Sequence, residues 1–437
     1  MVLISVRSCS LKGSLRPASC LPLAQRMLTA AVLGYGGVIS KLPEHPSIYA
    51  ILSLGEQLGA EAVIEGHTAD ILARGEPDLP ASLSCRRDPL LSRLLTPLSL
   101  LCGQPAILTD VKLPLGATRM LDPMAASLGV RILKSADRIE VSGNPSGGAL
   151  ELADRGGAYW APSLIMAAPY ADLSIVLGLD EFVFLQPSVR LSLLAAEKMG
   201  ITLLWEENEP TITIAPNQSY EELNAEVEAD WRTGSYLAGA LLLSGSGVLE
   251  LPRASVQSES GFWTPFEQAG LAMWNSFGDA MAVRTGGPQL PIPASWDLRA
   301  YPALYPLALV LATRATQPVR LEPLYPLSPR ARERIHSTVI QLARLGADIR
   351  TSEGVVEVMP SSLEGGEVDC DGDPRVAMAL GLAGLISRQP VSIQGAEAVS
   401  SVSPSFWSDL RTLGADVRID YMAQKPAAAV FSPVGKK

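Results

Sequence analysis

Positive charge in this chain is carried almost entirely by arginine, since only eight of the 35 basic residues are lysine. A guanidinium is planar, permanently charged and forked, which suits it to carboxylate and phosphate groups held by two parallel hydrogen bonds. Oxyanion binding is therefore the chemistry the residue types favour. Metal chemistry is poorly provided for: the three histidines, His45, His67 and His336, have no spacing that would bring them to one ion. The five cysteines (Cys9, Cys20, Cys85, Cys102 and Cys370) are scattered, odd in number and without a Cys-x-x-Cys pair. That argues against a disulfide framework and against a zinc site. Asp373 stands before Pro374 and a long apolar run. An aspartate there can carry a proton, but its commoner use is to cap the helix that the proline opens. Gly34-Tyr35-Gly36-Gly37 is glycine-rich yet lacks the Lys-Ser/Thr of a phosphate-binding loop.

The elements that must position these residues follow a repeat. A helical stretch ending in glycine and followed by an apolar strand occurs six times, around Gly59, Gly129, Gly200, Gly270, Gly346 and Gly414. The intervals are 70, 71, 70, 76 and 68 residues, so six units account for nearly the whole length. Glycine after the last apolar helical residue is the expected left-handed cap, because a Cβ would clash at positive φ. One unit reads clearly. VRLEPLY from Val319 alternates as a strand, and Pro329–Leu345 places Ile335, Val339, Leu342 and Leu345 on one helical face. ADIRTSEGVVEVM reads as a hairpin turning at Ser-Glu-Gly, and Pro374–Ile386 as a helix buried on most sides. Six such units exceed one core, and two lobes of three are the economical packing.

With 437 residues, 47% hydrophobic and 18% charged, the chain can fill several cores. Its net charge of -10 argues against nucleic-acid binding through broad phosphate neutralisation. The longest uncharged stretches, such as Gly156–Ala171, run 16 residues, short of a bilayer span and interrupted by Pro, Gly or Ser. Met1–Pro17 shows no apolar signal core or cleavage-type site, so a cytoplasmic location with no membrane partner is expected.

Seven segments carry a resemblance. They are PLAQRMLTAAVLG (22–34), YWAPSLIMAAPYADLSIVLG (159–178), VEADWRTGSYLAGALLLSG (227–245), YPALYPLALVLATRA (301–315), RARERIHSTVIQLARLGADI (330–349), DPRVAMALGLAGL (373–385) and AEAVSSVSPSFWSDLRTLGADV (396–417). From about Val6 to Val417 the chain resembles the enolpyruvyl transferase superfamily, most closely its 5-enolpyruvylshikimate-3-phosphate (EPSP) synthase branch. The resemblance implies a mixed α/β fold: a two-lobed inside-out α/β barrel of six βαβαββ-type units, three per lobe. It implies residues 1–18 plus 232–430 in one lobe, 19–231 in an inserted lobe, and 431–437 as a disordered tail. It also implies a monomer with no cofactor or metal, binding a small anionic or part-apolar substrate in the interlobe cleft.

The family transfers the carboxyvinyl group of phosphoenolpyruvate to a hydroxyl, which needs cations for phosphates and a carboxylate, and acid–base groups for two protons. Arg26, Arg93 and Arg119 fall on or near family arginines of the first half, and Arg330, Arg334 and Arg375 on basic positions of the second. These six, with Tyr159 in the phosphate-gripping triplet now Gly157-Ala158-Tyr159, are the implied substrate- or anion-binding set. The acid–base positions depart from the pattern. The catalytic aspartate is Ala303, the catalytic glutamate Ala331, and two family lysines are Leu21 and Ser401. Leu185 and Ser188 stand where the family has a serine and a tyrosine. Asp373 and Asp230 are the carboxylates left as catalytic candidates, with helix capping and lobe geometry as their competing roles. The cysteine that the peptidoglycan-precursor branch carries near LPLGATR is absent here. These departures imply an enzyme repurposed for a more apolar substrate bearing a carboxylate or phosphate. The alternatives are a non-catalytic relative that binds a ligand or partner, and an authentic 3-phosphoshikimate 1-carboxyvinyltransferase.

Overall fold

The computed structural model describes residues 2–104, 106–206, 209–322, 327–352 and 354–421. The segment 431–437, expected to be a disordered tail, lies outside the described residues, as do positions 323–326 at the end of the VRLEPLY stretch.

Among the described residues, strands assemble into six four-stranded sheets with one shared plan. In one of them Gly148–Leu152 runs parallel to Ile175–Leu179, which pairs antiparallel with Glu209–Ile214, which pairs antiparallel with Leu203–Glu206. The parallel pair requires a crossover, and the helix Asp154–Ala167 supplies it. The sheet 82–84, 106–109, 139–142 and 131–134 repeats the pattern, as does the one built on Ser295–Trp296 and Val319–Leu321. Chain ends complete another: Val2–Arg7 lies between Val391–Gln394 and Asp416–Tyr421, antiparallel to both. Gly59, Gly129, Gly200, Gly270, Gly346 and Gly414 all have φ between 67° and 99°, the left-handed region expected of the caps.

Sheets lie outside and helices inside. Tyr305–Ala312 (YPLALVLA) is buried at every position, and Pro374–Ile386 at every position but the last. Pro329–Arg344 differs because its apolar residues fall on one stripe; it buries Ile335, Thr338 and Leu342 and leaves Arg330, Arg332 and Arg344 exposed. The buried side chains form two separate cores. One gathers Cys20 through Val227 around the helices Leu21–Leu33, Pro89–Leu101 and Asp154–Ala167. The other joins Ile4, Val6 and Leu11 to Ala229 through Val417, around Trp231–Ser244, Tyr305–Ala312 and Pro374–Ile386. Full burial of a side chain as large as Trp160 or Trp231 contributes about 2–3 kcal/mol to its core.

The two bodies are joined by two neighbouring stretches of chain. Ser19 and Ala229 form an antiparallel bridge, Cys20 N–H donates to the Glu228 carbonyl at 2.9 Å, and Asp230 N–H to the Ala18 carbonyl at 2.7 Å. Arg16 clamps the same place, donating to the Val227 carbonyl at 2.7 Å and to Ser19 Oγ at 3.0 Å. Beyond this pivot, the helix Pro187–Lys198 of the inserted lobe packs against the turn Ser258–Trp263 of the other.

Candidate functional site

Between the lobes lies a cavity of about 140 Å³. Leu185, Gln186 and Pro187 form its wall from the inserted lobe, placed by the short helix Glu181–Phe184 that Asp180 caps through the Val183 N–H at 2.7 Å. The opposite wall holds Pro302, Ala303, Leu327 and Ala331, with Arg299, Arg330 and Arg334 as its cations. Ser328 caps the helix Pro329–Arg344 by accepting from Ala331 N–H at 3.2 Å, and the four-residue spacing then stacks Arg330 and Arg334 on one face. The cavity is thus apolar over much of its wall and cationic along one side. The two alanines at the positions matched to acid–base carboxylates both line it.

The three cations are not equally available. Arg299 is gripped by Asp297 (2.8 Å from Nη2 to Oδ2), and those hydrogen bonds raise its pKa, with Glu181 of the opposite lobe adding a smaller push. Arg334 Nε donates to both oxygens of Asp373, at 2.9 and 3.0 Å. Arg330 is exposed and has no carboxylate within 4.0 Å among the described residues.

Asp373 also accepts the N–H groups of Arg375 (2.9 Å) and Val376 (3.3 Å), so its Oδ1 caps the helix Pro374–Ile386 while the carboxylate holds Arg334. Asp230 is a cap as well, 6% exposed, accepting from Arg232 N–H at 2.9 Å, Arg232 Nε at 3.2 Å and the Thr233 hydroxyl at 3.3 Å. Burial works against its charge, yet Arg232, Arg375 and these hydrogen bonds outweigh burial and hold its pKa below the usual carboxylate value. Both carboxylates are therefore committed to neighbours, which leaves little freedom for proton transfer. Arg375 is buried over the Tyr236 ring (5.9 Å), with Nη1 donating to Met378 Sδ at 3.5 Å; burial lowers its pKa and Asp230 partly restores it.

The inserted lobe holds its arginines differently. Arg26 is 7% exposed and donates from Nε to Ser192 Oγ (2.8 Å), from Nη1 to the Pro22 carbonyl (2.7 Å) and from Nη2 to the Ser188 carbonyl (2.7 Å). All three acceptors are neutral. Burial, then the like charge of Arg93, brings its pKa down to about 9. Arg93, in the second turn of the helix that Asp88 caps, lies over the Tyr159 ring at 5.8 Å, and its Nε is buried with no hydrogen-bond partner among the described residues. Tyr159 meets Trp160 edge-on at 5.0 Å and donates its hydroxyl to the Pro89 carbonyl at 3.2 Å. Arg26, Arg93 and Tyr159 thus form one cluster, Arg119 is exposed on the helix Leu115–Leu128, and none of these four, nor Arg375, belongs to the cavity lining expected of them. Trp231 fills the second core, with Nε1 bonded to the Pro252 carbonyl at 3.0 Å, and does not plug the cleft.

Sequence reasoning missed Arg299 at the cavity, and Arg232 and Glu259 at the pivot. Arg232 had a signal, being two residues past a capping aspartate; Glu259 had none, since its burial depends on the turn Ser258–Trp263 folding back. Among the described residues, no group of three or more His, Cys, Asp or Glu is placed to hold a metal ion, and no helix is long and apolar enough to cross a membrane.

Known proteins share this architecture. The model of the EPSP synthase (3-phosphoshikimate 1-carboxyvinyltransferase) family matches residues 8–410. A 3-phosphoshikimate 1-carboxyvinyltransferase of Methanocorpusculum labreanum is 26% identical over 404 residues, covering 90% of this chain and 93% of that protein. The EPSP synthase of Acinetobacter baumannii superposes with a TM-score of 0.75 at 16% identity, over 96% of this chain and 100% of that one. The enolpyruvyl transferase NikO from Streptomyces tendae superposes with a TM-score of 0.65 at 16% identity, over 96% and 98%. Two lobes with helices inside and mixed sheets outside, and a family model matched over nearly the whole length, lead to one conclusion: the chain belongs to the EPSP synthase family.

Proposed function

We propose that this protein is an enolpyruvyl-transferase-fold enzyme whose interlobe cleft takes a small, part-apolar substrate bearing one carboxylate or phosphate. The observation that carries the reading is the composition of the cleft wall. Leu185, Pro187, Pro302, Ala303, Leu327 and Ala331 make the larger, apolar part of the wall around a space of about 140 Å³, with Gln186, Ser328, Arg299 and Arg334 as its other lining and Arg330 free at its side. A polar, polyhydroxylated phosphate ester would meet apolar walls where it needs hydrogen bonds, and unpaired polar groups are costly to bury. The cluster Arg26–Arg93 lies outside the lining of this cavity, so the negative charge of the substrate falls to Arg330 beside Arg299 and Arg334.

Against ordinary shikimate-pathway turnover stand the methyl groups of Ala303 and Ala331. Loss of one general acid or base lowers a rate by about 10² to 10⁴, and here both matched positions lack a carboxylate. Curated relatives carry the name 3-phosphoshikimate 1-carboxyvinyltransferase, but a shared fold leaves the chemistry to the site residues. Single-turnover mixing with shikimate 3-phosphate and phosphoenolpyruvate tests the reading. The expected release of phosphate is at least about 10⁴ slower than for an authentic enzyme assayed alongside; comparable release would overturn it. The commitment of Asp230 and Asp373 to caps and arginines favours the second reading, a ligand-binding relative without catalysis. Saturable turnover of any small anion would exclude that one.

A further inference from the structure

A smaller cavity, about 80 Å³, lies at the pivot, and Pro187 lines both it and the main cleft. Cys20, Pro22 and Ser188 face it from the inserted lobe, and Arg232, Gln257 and Glu259 from the other. None of the three second-lobe residues belongs to the set that the family motifs pick out. Glu259 is 5% exposed, and the nearest cation is Arg232, at 3.8 Å from Nε to Oε1, too far for a hydrogen bond. Arg232 spends Nε on Asp230 and turns Nη2 towards Cys20 Sγ at 3.9 Å. Gln257 is fixed by its own bonds, accepting from Trp231 N–H at 2.9 Å and donating to the Ala229 carbonyl at 2.9 Å.

Charges around this space balance: Arg232 and Arg375 face Asp230 and Glu259, so two cations meet two carboxylates. The Cys20 thiol stays neutral, since burial pushes it up to about 12. Asp230 is fully engaged and kept ionised by its arginines, whereas Glu259 is the carboxylate whose charge is weakly supported. At roughly 30 Å³ per water, the cavity holds two or three waters or one carboxylate group.

We propose that the pivot cavity is a proton-coupled binding site for a small carboxylate, held by Arg232, with Glu259 taking up a proton as the anion enters. A third negative group brought to a buried cluster already balanced at two arginines and two carboxylates is costly, so the anion displaces the charge of Glu259. Burial already favours that protonated form, raising the carboxyl pKa against the opposing pull of Arg232. Affinity therefore falls as pH rises above the Glu259 pKa, by up to about tenfold per pH unit for a single coupled proton. The site does not depend on turnover in the main cleft.

Calorimetric titration of the full chain with acetate, in buffers of different ionisation enthalpy between pH 5 and 8, reads both affinity and proton uptake. Saturable binding with uptake approaching one proton is expected. Glu259→Gln keeps the shape of the cavity and is expected to bind with no uptake and a flat pH profile. Cys20→Met fills the space without changing a charge and is expected to abolish binding. Absence of binding to the folded wild type overturns the proposal, as does undiminished uptake in Glu259→Gln. So does loss of acetate binding in Arg330→Gln alone, which would place the anion in the main cleft. Competition with phosphoenolpyruvate assigns the site to the carboxylate end of a cleft ligand, and additive binding assigns it to a free anion; both support it.

Discussion

The two lobes bury most of their arginines differently, although Arg375 of the second lobe lies over the Tyr236 ring much as Arg93 lies over Tyr159 in the first. In the inserted lobe, Arg26 is held by two carbonyls and a hydroxyl and Arg93 by an aromatic face, with no carboxylate beside either. In the other lobe, Arg232 has Asp230 and Glu259, and Arg334 has Asp373. A buried cation without a counter-charge is an expense to the fold, while a paired one becomes part of it. The inserted lobe is therefore the side with unmet positive charge, and the other has largely met its own.

Breaking the comparison at its strongest point should have the largest effect. Arg232→Met strands Asp230 and Glu259 in the second core, and a loss of about 3–5 kcal/mol is expected in denaturant unfolding. Arg334→Met strands Asp373 in a half-open position where its capping role persists, so about 1–2 kcal/mol is expected by the same measurement. The inserted lobe should respond with the opposite sign. Arg93→Met removes an unpartnered buried Nε and the repulsion felt by Arg26, and is expected to stabilise by about 1 kcal/mol in denaturant unfolding. Destabilisation by Arg93→Met would remove the contrast between the lobes.

Acid provides a further test. The Asp230 pKa is depressed in the folded state, so its contribution to stability is present above the ordinary value of 3.8 and lost as pH falls through the lower, folded value. Hydrogen exchange below pH 4 should accordingly show the start of the helix Trp231–Ser244 opening as its Asp230 cap is protonated, and Asp230→Asn is expected to remove that pH dependence. The smallest change is Tyr159→Phe. It deletes the 3.2 Å bond to the Pro89 carbonyl but keeps the ring under Arg93, so about 0.5 kcal/mol is expected.

Local features were legible where a residue's neighbours in sequence decide its state. Pro374–Ile386 begins and ends where its apolar run does, and Pro329–Arg344 stops one residue before the expected Leu345 because the chain turns there towards Gly346. The capping reading of Asp373 follows from the proline after it, and the structure adds an ion pair to Arg334, 39 residues away. The strand expected over VRLEPLY is described only for Val319–Leu321. Site residues were legible as types and positions, not as partners. Arg26 reads as an oxyanion binder from its motif, yet its three donors reach Pro22 and two residues of a helix more than 160 positions away. Arg119 matches a family arginine only loosely, and the helix that carries it turns it to solvent.

What the sequence determined by itself was the spacing: six glycine-ended helices, the apolar runs that must be buried, the excess of arginine over lysine, and alanine at 303 and 331. Each follows from covalent order, because periodicity and residue type set local conformation and the available functional groups. Only the tertiary structure decided how charge was shared. Whether an arginine meets a carboxylate, a carbonyl or an aromatic face depends on which helix start is brought opposite it. That is fixed by packing two separate cores around one pivot, where Cys20, Arg232 and Glu259 come together from distant parts of the chain.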